Sequence, residues 1–160
     1  MQLANFNYPG QVVIGGEIKA VELACIKAKE TGAKKVIKLP VSAPFHTMML
    51  LPAAEKLSRE LKKIKIKDIK IPIITNVIAD YIENKELIKE FLRKQVMYPT
   101  LWTNCLFKMI EDGVDTFIEV GPGRVLSGFV KRIDGNVKIS NVEDIESLER
   151  TLNILGGVLC

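Results

Sequence analysis

Histidine and cysteine are scarce in this sequence. Its 160 residues include one histidine, His46, and three cysteines, Cys25, Cys105 and Cys160. A single histidine excludes a multi-histidine metal site and a second histidine base, so we expect no metal. The cysteines are widely spaced and form no CxxC pair, which argues against a zinc knuckle and a redox dithiol. We interpret them as free, buried thiols in the reducing cytoplasm.

Long apolar runs and a strong excess of one charge are also missing. No apolar stretch approaches the ~20 residues that span a bilayer, and the first residues lack the pattern of a signal peptide. The formal net charge of +4 is too small to indicate nucleic acid by itself. We therefore expect neither a membrane nor a nucleic acid as partner. The 48% hydrophobic and 26% charged residues are typical of a globular domain.

Apolar patterns typical of strands alternate along the chain with patterns typical of helices. Strands are predicted at residues 11–14, 35–39, 71–77, 116–120 and 137–140. Helices are predicted at 17–31, 49–64, 85–96, 99–111, 124–132 and 144–155, the first with its apolar residues on one stripe. Strands separated by helices predict an α/β fold with a largely parallel sheet covered on its faces.

His46 is the first candidate for chemistry, because histidine is the residue type whose ordinary pKa lies near neutrality. It follows Pro40 and Pro44, which stiffen the backbone, and a general base needs fixed geometry. A surface or purely structural histidine is the alternative interpretation. No Gly-x-Ser-x-Gly elbow occurs, and Ser127 does not form one. The residues by themselves therefore offer a base without a nucleophile.

Two further segments each allow two interpretations. Gly121-Pro122-Gly123 is either a tight strand-to-helix turn or the start of an anion site at a helix N-terminus. The lysine-isoleucine stretch of residues 62–70 is either a solvated helix end and strand edge or a docking surface for an acidic partner. Nucleic acid is disfavoured at this stretch because no aromatic residue lies among the lysines.

Four segments carry distinctive motifs: Asn7-Tyr8-Pro9-Gly10-Gln11 within residues 5–16, Pro44-Phe45-His46 within residues 40–46, residues 95–102, and Glu119-Val120-Gly121-Pro122-Gly123 within residues 119–128. In this order they resemble one family, the malonyl-CoA:acyl carrier protein transacylases. They are similar to its Asn-x-Pro-Gly-Gln-x-Val-Ile stretch, its catalytic-histidine loop, the segment that follows and its Glu-x-Gly-Pro-Gly block. The resemblance covers nearly the whole chain, from Leu3 to Leu155.

The resemblance implies a fold and a division of the chain. It implies the C-terminal part of an α/β-hydrolase-like acyltransferase domain together with part of a ferredoxin-like small subdomain. Residues 1–40 would belong to the small subdomain and residues 41–160 to the large one. The family's enzymes are much longer, and their Gly-His-Ser-Leu-Gly nucleophile motif and substrate arginine have no counterpart in this sequence. We therefore expect self-association or pairing with the missing portion, and no efficient transfer by this chain alone.

The resemblance also implies a reaction and roles for individual residues. The reaction is ping-pong malonyl transfer from coenzyme A to the phosphopantetheine thiol of acyl carrier protein in fatty acid biosynthesis, without a cofactor. His46 matches the base, and Gln95 matches the position whose main-chain carbonyl orients it. Phe45 matches an aromatic position associated with malonyl, while Asn7 and Gln11 match positions near the acyl pocket. Asn7 and Gln11 could equally satisfy groups in a turn. The alternative function is a non-catalytic module that binds acyl carrier protein or coenzyme A.

Overall fold

The computed structural model describes residues 1–156, which form mixed helix and strand. The chain divides into two units, Met1–Cys105 and Leu106–Cys160. The helices are α1 (Ile18–Glu30), α2 (Leu51–Lys62), α3 (Ile88–Met97), α4 (Trp102–Glu111), α5 (Val125–Ile133) and α6 (Ile145–Ile154). The strands are β1 (Gln2–Tyr8), β2 (Gln11–Gly15), β3 (Ile74–Thr75), β4 (Asp80–Tyr81), β5 (Thr116–Val120) and β6 (Lys138–Val142).

The first unit begins with an antiparallel hairpin. β1 and β2 pair from Gln2 opposite Gly15 to Tyr8 opposite Gln11, around a turn at Pro9-Gly10. Gly10 has a φ of 90°, a left-handed conformation that glycine adopts without strain. β1 also bonds to a later segment, because Thr100 donates its N–H to the Ala4 carbonyl and accepts from the Phe6 N–H. The hairpin therefore holds the segment that follows α3.

Helices α2 and α3 pack against each other in the first unit. The buried side chains are Ala54 and Leu61 on α2, and Phe91 and Met97 on α3. A short 3-10 turn over Met48–Leu50 leads into α2 and follows directly on the loop that carries His46. Since the loop ends at a packed helix, its last residues are fixed by the core beneath that helix.

The second unit is built around two parallel strands with helices after each. β5 and β6 pair in parallel from Thr116 beside Lys138 to Val120 beside Val142. α5 connects the strands, and α6 follows β6. Asp144 caps α6 by accepting the Ser147 N–H, while the Ser147 hydroxyl accepts the Asp144 N–H. This capping box satisfies backbone donors that a helix start otherwise leaves open.

The coarse prediction of mixed helix and strand is confirmed, but the largely parallel sheet is wrong for the described residues. They contain three two-stranded sheets, and only the β5–β6 pair is parallel. Strand β1 was not predicted. Residues 35–39 form no strand, and within 71–77 only Ile74–Thr75 do. A strand needs a neighbour for its N–H and C=O groups, and side-chain alternation alone does not supply one.

The first helix is exposed, and the prediction of buried thiols is wrong for one cysteine. No side chain of α1 is buried, and Ile18 is 69% exposed. An amphipathic stripe requires a covering surface, which the described part of the chain does not provide for this helix. Cys105 is buried as predicted, whereas Cys25 is only half-buried and Cys160 lies outside the described residues. Within residues 1–156, no helix is both long enough and apolar enough to cross a membrane.

Candidate active site

The loop around His46 holds this residue in an unusual backbone conformation. His46 has a φ of 59°, in the left-handed region, which costs a non-glycine residue on the order of 1–3 kcal/mol. The flanking contacts hold the loop in place. The Thr47 hydroxyl donates to the Pro44 carbonyl at 2.7 Å, and the Met48 N–H donates to the Gln2 side chain at 2.7 Å. Thr47 itself is fully buried, so the backbone beside His46 is anchored in the interior.

The imidazole of half-buried His46 contacts one main-chain carbonyl. Its Nδ1 lies 2.9 Å from the carbonyl oxygen of Gln95, 49 residues further along the chain. A carbonyl oxygen can only accept, so Nδ1 must donate and carries a proton. In the neutral ring, Nε2 then holds the free lone pair, as a proton acceptor requires. The structure thus brings His46 and Gln95 together.

The side chain of Gln95 is held by Thr75 of β3 and by Asn76, the residue that follows this strand. Its Nε2 donates to Asn76 Oδ1 at 2.6 Å and to the Thr75 hydroxyl at 3.3 Å. Thr75 is buried, and Asn76 also donates from Nδ2 to the Thr100 hydroxyl at 3.2 Å. Neither Thr75 nor Asn76 was among the predicted site residues. The available signal was a pair of polar residues at the end of a predicted strand, where site residues collect in α/β folds.

The three predicted substrate-binding residues are placed differently from one another. Asn7 and Gln11 flank the hairpin turn, where Asn7 Nδ2 donates to Gln11 Oε1 at 3.0 Å. The hydrogen bonds described for residues 1–156 connect neither of them to His46. Phe45 directly precedes His46, and this residue is 54% exposed. The substrate roles of all three residues stay predictions.

The Gly121-Pro122-Gly123 turn is closed by the chain's own carboxylates. The Gly123 N–H donates to Glu143 Oε2 at 2.8 Å, and the Leu126 and Ser127 N–H groups donate to the two Glu119 oxygens. An anion at the start of α5 would therefore have to displace two carboxylates. This geometry favours the tight-turn interpretation over the anion site.

The lysine-rich stretch lies mostly outside regular structure. Helix α2 ends at Lys62, and residues 64–70 form neither helix nor strand, so the predicted strand edge is wrong. Lys65 and Ile66 line a surface depression together with Lys85, Glu86 and Lys89. A hydrogen bond from Lys85 to Asp68, which is the largest cause, lowers the pKa of Asp68 and raises the pKa of Lys85. The stretch is largely solvent-exposed, which both of its interpretations require.

Neither Cys105 nor the metal-binding side chains of residues 1–156 give a second site. Burial raises the pKa of the Cys105 thiol to about 11, so this thiol is protonated at neutral pH. Its Sγ lies 3.7 Å from the Thr75 carbonyl oxygen. Among residues 1–156, no three His, Cys, Asp or Glu side chains are grouped to hold a metal ion. His46 with its Gln95 carbonyl is therefore the arrangement here that is suited to proton transfer.

Comparison with known proteins finds similar transacylases. The chain is 48% identical over 155 residues to the malonyl CoA-acyl carrier protein transacylase of Bacillus subtilis strain 168, covering 97% of this chain and 49% of the relative. The malonyl CoA-acyl carrier protein transacylase structure from Clostridium perfringens ATCC 13124 superposes with a TM-score of 0.93. It is 53% identical and covers 97% of this chain and 49% of that chain. Over nearly its whole length, the chain matches one half of a malonyl-CoA:acyl carrier protein transacylase. No protein-family model matches it.

A second similar structure was solved together with a carrier protein, and all three similar proteins are about twice as long as this chain. A malonyl-transacylase solved in complex with a type II PKS acyl-carrier protein is 39% identical, with a TM-score of 0.91, and covers 96% of this chain and 50% of that chain. The chain thus spans about half the length of the transacylases that it matches. The predicted family resemblance is confirmed for this half.

Proposed function

We propose that this chain supplies the proton-transfer half of a malonyl-CoA:acyl carrier protein transacylase. This proposal rests on the contact between His46 Nδ1 and the Gln95 carbonyl. That contact leaves Nε2 of the ring to act as the base. This sequence contains no Gly-His-Ser-Leu-Gly segment. The reacting serine hydroxyl would therefore come from another portion of the protein. Removal of a covalent nucleophile costs on the order of 10⁶-fold in rate, so the chain alone would transfer malonyl inefficiently.

The first half-reaction would load the serine. His46 Nε2 takes the hydroxyl proton as the serine oxygen bonds to the malonyl carbonyl carbon. The carbon-sulfur bond to coenzyme A then breaks, and the imidazolium returns the proton to the departing sulfur. The products are a malonyl-serine ester and free coenzyme A. Since the ring partner is a carbonyl and not a carboxylate, the tautomer is held without a second buried charge.

In the second half-reaction, the phosphopantetheine thiol of the carrier protein would be the nucleophile and the serine oxygen the leaving group. His46 takes the proton of the phosphopantetheine thiol, and the sulfur attacks the ester carbon. The ester bond to serine breaks, the serine oxygen recovers the proton, and malonyl leaves on the carrier protein. The similar structure solved with an acyl-carrier protein supports this partner. No cofactor is required, because both steps move only protons and an acyl group.

The finer assignments belong to the same proposal. Residues 1–40 would form part of a ferredoxin-like subdomain and residues 41–160 part of an α/β-hydrolase-like one, in the cytoplasm. Phe45 would favour malonyl, and Asn7 and Gln11 would lie near the acyl group. Exposed apolar side chains on α1, such as Ile18, support pairing with a second copy or with the missing portion. The non-catalytic module is the less favoured alternative, since the named relatives are transacylases.

The proposal is tested by measuring malonyl transfer with the complete protein that contains this sequence. His46→Ala should lower kcat/KM on the order of 10²–10⁴-fold, the range of general acid–base catalysis. Glu149→Gln, an exposed change on α6, is the matched control and should leave transfer unchanged. Wild-type rates in folded His46→Ala would contradict the proposal. Binding of coenzyme A and carrier protein without turnover by the unaltered complete protein would favour the non-catalytic module.

A further inference from the structure

The Gln95 carbonyl is free to accept from His46 because of the residue four positions later. In an α-helix, the carbonyl of Gln95 would accept the N–H of residue 99. Residue 99 is proline, which has no N–H. The N–H of Tyr98 donates to the Lys94 carbonyl at 2.8 Å and completes the helical pattern of α3. Gln95 is thus the first residue of α3 whose carbonyl loses its regular helical donor.

Pro99 also determines where α3 ends. The residue before a proline is pushed out of the helical region toward extended conformations. Tyr98 has φ −106° and ψ 154°, which is extended. Beyond Pro99, the Thr100 N–H donates to the Ala4 carbonyl at 2.8 Å, and the Leu101 N–H donates to the Asn76 carbonyl at 2.8 Å. The chain therefore turns away from the α3 axis, which leaves the Gln95 carbonyl open to the imidazole.

Asn76 binds both the Gln95 side chain and the segment that follows Pro99. Its Oδ1 accepts from Gln95 Nε2 at 2.6 Å, its Nδ2 donates to the Thr100 hydroxyl, and its carbonyl accepts from Leu101. One residue thereby connects the last turn of α3 with the segment after Pro99. Movement of that turn would have to break these bonds together.

We propose that Pro99 and Asn76 are positioning residues for His46, acting through Gln95. Pro99 removes the competing N–H donor, and Asn76 holds the turn that presents the carbonyl. Together they keep His46 in the tautomer with hydrogen on Nδ1 and the lone pair on Nε2. An effect of Pro99 and Asn76 on catalysis rests on the proposed function. Their effect on the His46 tautomer does not depend on that function.

Nitrogen-15 NMR of the histidine ring in the full chain measures the tautomer directly. His46 is the only histidine of the chain, so its ring signals need no assignment. The unaltered chain should show the Nδ1-protonated form as the main neutral tautomer. Pro99→Ala should lower the ratio of this form to the other about fivefold, the size expected when one neutral hydrogen bond is lost. Pro52→Ala, at the start of α2, is the matched proline control and should leave the ratio unchanged.

A second pair of variants tests Asn76 and remains decisive if Pro99→Ala does not fold. Asn76→Ala removes the acceptor for Gln95 Nε2 and should lower the same ratio. Asn76→Asp keeps an oxygen that can accept from Gln95 Nε2, so this variant should restore the tautomer ratio. It does so although the donor to the Thr100 hydroxyl is lost. Wild-type ratios in folded Pro99→Ala and Asn76→Ala would overturn the proposal, as would a main Nε2-protonated form in the unaltered chain.

The same spectra separate this proposal from the proposed function. The tautomer is read without substrate, so a normal tautomer in a complete protein that does not transfer malonyl counts against the function alone. In an active complete protein, Asn76→Ala should lower kcat with little change in KM, and Asn76→Asp should recover most of the loss. A loss of kcat with an unchanged tautomer would overturn the positioning role.

Discussion

The carboxylate of Glu119 on β5 accepts the main-chain N–H of Ser127 in the first turn of α5, at 2.7 Å. Its second oxygen accepts the N–H of Leu126 at 3.1 Å. A helix start leaves such N–H groups without partners, and a negative charge there is also favoured by the helix dipole. One strand side chain therefore caps the helix that follows the Gly-Pro-Gly turn.

Glu119→Gln should destabilise the second unit in a pH-dependent way. Burial favours a higher pKa for Glu119, but the hydrogen bonds from Ser127 and Leu126 outweigh it and hold the pKa below the ordinary 4.5. A lowered folded-state pKa gives a contribution that is complete above pH 4.5 and is lost as the pH falls through the folded value. We expect Glu119→Gln to lower the free energy of unfolding by about 1 kcal/mol at neutral pH.

Urea unfolding of Glu119→Gln and the unaltered chain, from neutral pH to below the ordinary carboxyl pKa, checks this prediction. Their difference should shrink as the pH falls, because the wild-type carboxylate becomes protonated. Glu149→Gln makes the same chemical change at an exposed position of α6 and should show no such difference. A difference between Glu119→Gln and wild type that is independent of pH would contradict the capping role of the charge.

Ser147→Ala should weaken the start of α6. The Ser147 hydroxyl is fully buried and accepts the N–H groups of Glu143 and Asp144, each at 2.9 Å. Its removal takes two hydrogen bonds from these main-chain donors, and we expect a loss of about 2 kcal/mol in the free energy of unfolding. Urea unfolding at neutral pH measures the loss. Ser58→Ala in α2 should change stability by less than about 0.5 kcal/mol, and equal effects of the two substitutions would refute the prediction.

The two described cysteines should differ in their reaction with a thiol reagent. Cys105 is 2% exposed, and burial raises the pKa of its thiol to about 11, whereas Cys25 is half-buried. Because the thiolate is the reactive form, we expect Cys105 to react about tenfold or more slowly than Cys25 in the native chain. Timed alkylation at neutral pH followed by peptide mass spectrometry gives both rates. In urea the rates should converge, and similar rates in the native chain would show that Cys105 is accessible.

Much of the local structure could be predicted from residue patterns. The apolar spacing and Gly113 marked the end of α4, and the Gly-Pro-Gly turn marked the passage from β5 to α5. His46 was also found from sequence, as the sole histidine after two prolines. Residues 35–39 show the limit of this approach, because their alternation is that of a strand while no described strand pairs with them. Pairing depends on a neighbour, which local spacing does not reveal.

The sequence by itself determined the helices, the turns and the candidate base, because these depend on side-chain periodicity, glycine, proline and residue chemistry within a few positions. The tertiary structure alone decided the strand pairing, the exposure of α1 and the network of Thr75, Asn76 and Gln95. The sequence alone explains why the Gln95 carbonyl lacks a helical donor, because Pro99 has no N–H. Only folding brings the His46 ring to that carbonyl, because 49 residues separate the two along the chain.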